Sequence, residues 1–292
     1  MTTSSEAAAV AAGTPVRPEP VRERFVRRFT RFDRFLHGFL MFSFLGLALT
    51  GLPLFFSASP WAANLATVFG GFYVAGRLHR IFATVLISVF VLHVGKLLRR
   101  LIVDKDYTVL WGPSSLVPQP RDISDLLAHM RWFIGQGPRP RFDRYTYWEK
   151  FDYWAVFWGM AIIGGSGMLL WMPEFFARIV PGWVFNIALL VHGEEALLAV
   201  GFIFTIHFFN GHLRPEKFPM DMVIFTGRVS ETELQHERPA EYERLLRTGR
   251  LQDVVDIPPS HRSWTIGRII GTTAVTVGLT LVGLIIYAMI RS

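Results

Sequence analysis

Two stretches decide how this chain is read: residues 76–101, GRLHRIFATVLISVFVLHVGKLLRRL, and residues 183–210, WVFNIALLVHGEEALLAVGFIFTIHFFN. Each is apolar over more than the roughly 20 residues a helix needs to cross a ~30 Å hydrocarbon layer. Yet each carries two histidines, His79 and His93 in the first, His192 and His207 in the second. Ionisable side chains inside a bilayer are costly and mark functional sites. Working outward, residues 35–56, 151–172 and 264–290 have the same apolar character. The fold class predicted is therefore all-α integral membrane: a four-helix bundle over 35–210 plus a fifth, C-terminal transmembrane helix within 264–292.

Composition agrees. Of 292 residues, 51% are hydrophobic and only 18% charged, against roughly 25% charged in soluble domains. The net charge is +7, but the basic residues border the apolar runs and form no stripe, which argues against nucleic acid as a partner. There is no cysteine. That excludes disulfides, Cys-ligated zinc, iron–sulfur clusters and covalently attached haem. Residues 1–34 are rich in Ala, Pro and Arg, and their short apolar run 7–13 has no basic flank, so they read as a disordered cytoplasmic tail rather than a secretory signal.

Charge sets the expected orientation. Residues 57–75 contain no Lys or Arg and 173–182 contain only Arg178, whereas 1–34 and 102–150 hold seven each and 211–263 hold eight. By the positive-inside rule the N-terminus and both long segments are cytoplasmic and the C-terminus lies outside a cytoplasmic membrane. The segments carry short helices of their own. One is predicted over 122–135, entered near Ser124 and stopped at Gly135. Ser230-x-x-Glu233 fits a capping box, and 239–249 places Pro near the start of a helix and Gly just past its end. No internal repeat is evident.

Histidine spacing carries the chemistry. His79 and His93 are 14 residues apart, His192 and His207 are 15. At 100° and 1.5 Å per residue, these steps end about 40° short of and about 60° past four turns, roughly 21 and 22 Å along the axis. Each pair lies near one helix face, toward opposite sides of the membrane. Two helices presenting imidazoles at two depths suit two stacked, non-covalent haem b groups. An imidazole on each side of an iron leaves no open position, so such a group moves electrons. Gly38, Gly76, Gly193 and Gly201 are small residues near these histidines that would admit a flat macrocycle. Gly164-Gly165-Ser166-Gly167 and Gly267-x-x-x-Gly271 suit close helix packing.

The chain resembles the cytochrome b (gamma) subunit of respiratory formate dehydrogenase, NiFe hydrogenase and thiosulfate reductase. The resemblance covers roughly residues 29–243 and four of the five spans. It is carried by Phe32-Asp33-Arg34-x-x-His37, Leu49-Thr50-Gly51, Gly76-Arg77-x-His79, Tyr145…Lys150, Leu189-Leu190-Val191-His192 and His207. It implies that His79 and His192 ligate an outer haem, and that His37 and His207 ligate a haem near the cytoplasm with a quinone site beside it. Three departures stand out. The fourth-span pair is 15 apart where the family has 14, which calls for a π-bulge or a rotated ligand. Thr146 and Trp148 stand where the family has Asn and Gly. The fifth span and the block 212–221 are additions, similar to the versions found with multihaem c-type or ferredoxin-like iron–sulfur partners.

Arg77 and Arg80 flank His79, and Glu194 and Glu195 follow His192; the arginines are candidates for anchoring haem propionates, the glutamates for charge partners. Tyr145, Thr146, Trp148 and Glu149, at the mouth of the third span, are the candidate contacts for menaquinone or ubiquinone. For the partner of His207, spacing favours His93 while depth and the resemblance favour His37, with His212 a reserve ligand. The expectation is a di-haem subunit of a quinone-linked oxidoreductase complex, with no primary substrate site, passing electrons between an outer-face redox subunit and the quinone pool. The alternatives are a haem electron carrier without a quinone site and a non-haem membrane anchor or transporter.

Overall fold

The computed structural model describes residues 23–291; most of the predicted tail, residues 1–22, lies outside them. Among the described residues, five helices are long and apolar enough to cross a membrane: α1 (Arg31–Phe55), α3 (Phe72–Ile102), α5 (Tyr147–Trp171), α6 (Trp183–Leu213) and α9 (His261–Arg291). Between the first two lies a short helix α2 (Pro60–Val68). Polar caps make α1 and α5 start earlier than their apolar runs suggested. Thr30 caps α1, its hydroxyl accepting from Asp33 N while Asp33 reaches back to Thr30 N. Thr146 and Glu149 form the same reciprocal box at the head of α5. The entry to α3 is a glycine turn, with Gly70 at φ +89° and Gly71 at φ +95°, a conformation that only glycine adopts without strain.

The helices alternate in direction. The 103–146 and 214–260 segments and the ordered N-terminal residues therefore gather at one end, here called basal, and the short connections at the other, distal end. Helices α1 and α3 pack closely as one hairpin and α5 and α6 as another, while contacts between the hairpins are sparse. Helix α9 closes one side. Ala48, Leu52, Val200, Phe204, Phe208, Leu281 and Ile285, drawn from α1, α6 and α9, form the main apolar core. Gly278 is where α9 touches α6: a Cβ there would meet the Phe204 and Phe208 rings at 2.6 Å. Gly267 and Gly271 do serve close packing, against Met222, Phe225 and Met220 of the basal segment rather than against another membrane helix.

The basal end corrects one expectation. Residues 23–34 are not a disordered tail, because Phe25–Arg27 forms strand β1 and α1 begins at Arg31. To the expected all-α membrane fold this end adds one small sheet. Among the described residues, β1 is the centre of a three-stranded antiparallel sheet, flanked by β2 (Arg228–Ser230) and β3 (Val255–Asp256). Val26 and Val229 face a small core with Leu234, Leu245 and Leu251. Single short strands of this kind leave no periodic signal in sequence; β1 exists because its partners lie more than 200 residues downstream.

The predicted basal helices are present with shifted entries. Helix α4 (Pro120–Phe133) enters at Gln119 rather than Ser124, since Pro120 suits the first position and Asp122 caps Gln119 N at 2.6 Å. It ends before Gly135 at φ +74°. Ser230 caps α7 (Glu231–Glu237), but the Glu233 carboxylate turns to Lys217, so the box is half made. Helix α8 (Pro239–Arg247) begins on proline and is followed by Gly249 at φ +67°.

Candidate cofactor-binding site

On the distal half, α3 and α6 bring His79 and His192 together. Their ring centres are 6.2 Å apart and their planes lie 82° to each other. Each ring is fixed by a hydroxyl–glycine dipeptide on the preceding membrane helix. Thr50 on α1 donates its only hydroxyl hydrogen to Gly46 O at 2.6 Å. Its oxygen is left to accept, so His79 Nδ1, at 3.1 Å, is the donor. Gly51 lies under the same ring edge, where a Cβ would be 2.8 Å from His79 Cε1.

The α5–α6 hairpin repeats the arrangement. Ser166 donates to Ile162 O at 2.7 Å, and His192 Nδ1 donates to Ile163 O at 3.0 Å with the Ser166 oxygen 3.3 Å away. A Cβ on Gly167 would sit 2.9 Å from His192 Cε1. A π turn, Met160–Gly164, interrupts α5 here. Such a turn disturbs the regular carbonyl pairing of the helix, and Ile162 and Ile163 are within it.

Both histidines thus carry their proton on Nδ1 and present a lone pair on Nε2. Neither Nε2 has a hydrogen-bond partner among the described residues. A metal-bound histidine characteristically donates its other ring N–H to an acceptor in this way. Two imidazoles on opposite sides of one metal ion, at about 2.0 Å from metal to nitrogen and about 1.1 Å more to each ring centre, put the ring centres about 6 Å apart. The 6.2 Å separation fits. Among the described residues no group of three or more His, Asp or Glu side chains is gathered that could hold a metal ion.

The depth of this pair also agrees. His79 is seven residues from the start of α3 at Phe72, and His192 nine from the start of α6 at Trp183.

On the basal half, His207 ends a π turn, Ile203–His207, that falls between the two α6 histidines. The extra residue of the 15-residue spacing is absorbed there. His207 Nδ1 donates to Asp152 Oδ2 of α5 at 3.0 Å. His37 lies within electrostatic reach of His207 and His212. His93 faces elsewhere: its Nε2 is 3.0 Å from Tyr153 OH, and its ring packs on Tyr153 and Phe157. His212 packs on Phe208 in a second π turn, Phe209–Leu213.

The candidate quinone contacts are placed differently from expectation. Thr146 is buried and caps α5 with Glu149, and the second Glu149 oxygen accepts from Arg238 at 2.8 Å. Trp148 packs on His129 and Phe142 beneath the Arg214 guanidinium. Tyr145 lies under the Arg144 guanidinium. The polar atoms of Thr146 and Glu149 are engaged by the helix cap and by Arg238.

Arg77 lies over the Tyr73 ring and Arg80 lines a distal cleft of ≈ 520 Å³ with residues 170–175. Among the described residues neither has an ion-pair partner. Glu195 accepts from Trp158 Nε1 at 3.3 Å, and Glu194 has no hydrogen-bond partner among the described residues. Of the four glycines near the histidines, Gly38, Gly76 and Gly201 face open space, where a Cβ would meet nothing within 4 Å, while Gly193 is covered by the Phe55 ring.

The residues that reasoning from sequence missed are Thr50, Ser166, Gly167, Asp152 and Tyr153. A signal for the first three was there. A hydroxyl residue followed by glycine occurs 29 residues before His79 and again 26 before His192, a local repeat too short to show as self-similarity. No protein-family model matches the chain, and no curated protein is significantly similar to it.

Proposed function

We propose that this multi-pass membrane protein is a di-haem cytochrome b that carries electrons across the bilayer to or from the quinone pool. The observation that carries the reading is the His79–His192 pair: rings 6.2 Å apart, both Nδ1 atoms used as donors, both Nε2 atoms free. His79 and His192 would hold the distal haem iron, and His207 with His37 the basal one. Haem held by these residues would supply reversible one-electron transfer.

The chain's own residues do the rest. Thr50 and Ile163 O fix the ligand tautomers; Gly51 and Gly167 let the imidazole edges seat against the backbone. Gly38, Gly76 and Gly201 leave room beside the helices for a flat ring. Arg77 and Arg80, with no ion-pair partner among the described residues, are available to propionates near the distal surface. Quinone exchange at the basal end is supported by a set of donors and acceptors on consecutive residues of α5, Asp152 with His207 and Tyr153 with His93. The redox partner would dock distally, as the resemblance implies.

A reduced-minus-oxidised spectrum of the purified protein, with haem quantified per chain, tests this directly. Two haems per chain, wholly extractable by acid–acetone because no cysteine is present, are expected. A protein without a b-type α-band would sink the reading in favour of an anchor or transporter. Reduction of the reconstituted protein by a quinol analogue separates quinone exchange from a haem carrier that lacks it.

A further inference from the structure

Helix α4 is turned the wrong way for a surface in water. At 100° per residue, Ile123, Leu126, Leu127, Met130, Phe133 and Ile134 fall within an arc of about 120°. All six are exposed, from 38% for Leu126 to 67% for Ile134. Asp122 and His129, on one flank of that arc, face the protein instead, while Arg121, Ser124 and Arg131 are exposed. Asp122 pairs with Lys150 at 2.8 Å, and His129 is buried with its Nδ1 3.0 Å from Tyr147 OH. A helix that packs polar residues inward and turns a wide apolar stripe outward is stable where the outside is itself apolar.

The stretch before α4 continues that surface, with Tyr107 and Trp111 more than 60% exposed. Its level is fixed by α5. Trp154, seven residues into that membrane helix, donates its Nε1 to Leu116 O at 3.1 Å. Ile102 and Val103 at the end of α3 and Phe151 near the start of α5, at the same end of the molecule, are exposed as well. Exposed Arg99, Lys105 and Arg131 stand at the same end, and none has an ion-pair partner among the described residues.

We propose that residues 107–134 form an in-plane membrane strap, the exposed face of α4 being buried in the headgroup–acyl boundary at the basal end, with anionic lipid headgroups against Arg99, Lys105 and Arg131. Interfacial helices of this kind sit roughly 5–10 Å deep and gain from anionic lipid. The strap does not depend on the haem reading.

The absence of cysteine makes the test clean. Leu127→Cys and, as an aqueous control on α8, Arg247→Cys are labelled with an environment-sensitive fluorophore in the full chain, in vesicles of phosphatidylcholine and phosphatidylglycerol. The Leu127→Cys label should be quenched several-fold less by iodide than the Arg247→Cys label. It should also be quenched more by lipid carrying a nitroxide high on the acyl chain than by lipid carrying it at mid-chain. Equal iodide quenching at the two positions overturns the strap. Protection from iodide without quenching by either nitroxide lipid also overturns it, by placing a protein partner over this face.

Discussion

At the scale of single residues, the two histidine sites differ in what accepts the imidazole N–H. His79 and His192 donate to neutral groups, a hydroxyl oxygen and a backbone carbonyl, while His207 donates to the Asp152 carboxyl group. A carboxylate acceptor makes an imidazole a stronger donor to metal and favours the more positive, oxidised iron. Asp152→Asn keeps an acceptor of the same shape and removes the charge. The basal haem should then rise in midpoint potential by on the order of 60 mV, the equivalent of about tenfold in relative stability of its oxidised form for a one-electron couple. The distal haem should stay where it was. An optical redox titration reads both at once, and a variant in which both or neither move would remove Asp152 from this role. Gly51→Ala and Gly167→Ala address the other haem. Each places a methyl group within 3 Å of a histidine Cε1, so the ring must turn. Both variants should lose or distort the same low-spin EPR signal and spare the basal one; loss of different signals would mean that His79 and His192 do not share a haem.

At the scale of elements, the helices were legible and their irregularities were not. Long apolar runs bounded by charge announce membrane helices whatever their packing, so all five spans could be read, with ends displaced by a few residues, at α1 and α5 because Thr30 and Thr146 cap them. The paired histidines were visible because imidazole is rare in such runs. Their supports left only the hydroxyl–glycine dipeptide as a mark, since Thr50 and Ser166 are otherwise ordinary residues until the hairpin partner is known. A π turn likewise has no sequence mark; it shows only as the awkward 15-residue spacing on α6. The turn Ile203–His207 makes that spacing testable. Removing one residue from a π turn restores α-helical pairing and leaves the flanking halves in register, whereas removing one from regular helix rotates everything beyond it by about 100°. Deleting exposed Thr205 should therefore leave both haems bound. Deleting Leu198, in the regular part of α6 between the histidines, should cost the basal haem. Haem-to-protein ratios of the two deletion proteins decide it, and equal loss in both would deny the turn its register-keeping role.

At the scale of the whole molecule, the membrane helices are tied to the basal sheet by charge. Arg28, next to β1, pairs with buried Glu241 on α8, Arg144 reaches the same carboxylate at 3.1 Å, and Arg238 holds Glu149 at the head of α5. Glu237 at the end of α7 gathers Arg214, at 2.9 Å, and Arg139. The pairing of these residues was illegible beforehand because the partners are some 20 to 210 positions apart and only the folded chain joins them. Their consequence is acid sensitivity. Burial alone would push the Glu237 carboxyl up, but Arg214, Lys217, Arg139 and Arg238 outweigh it and hold its pKa below the usual glutamate value. A carboxyl group depressed by folding contributes stability above its unfolded pKa and loses it as pH falls through its folded pKa. Lys217 does not offset this. Burial lowers its pKa, but Asp221, Glu233 and Glu237 raise it by more, so it stays charged in acid as its partners are neutralised. The sheet should accordingly loosen below the ordinary glutamate range while the apolar helices persist, with amide exchange over residues 228–256 rising before exchange over α1 and α6. Glu237→Gln should bring that opening to neutral pH, at a cost on the order of 3 kcal/mol for Arg214, largely buried and left without its carboxylate. Exchange in 228–256 that stays flat with pH in the wild-type chain, or is unchanged by Glu237→Gln, would show that the sheet is held by its apolar core alone.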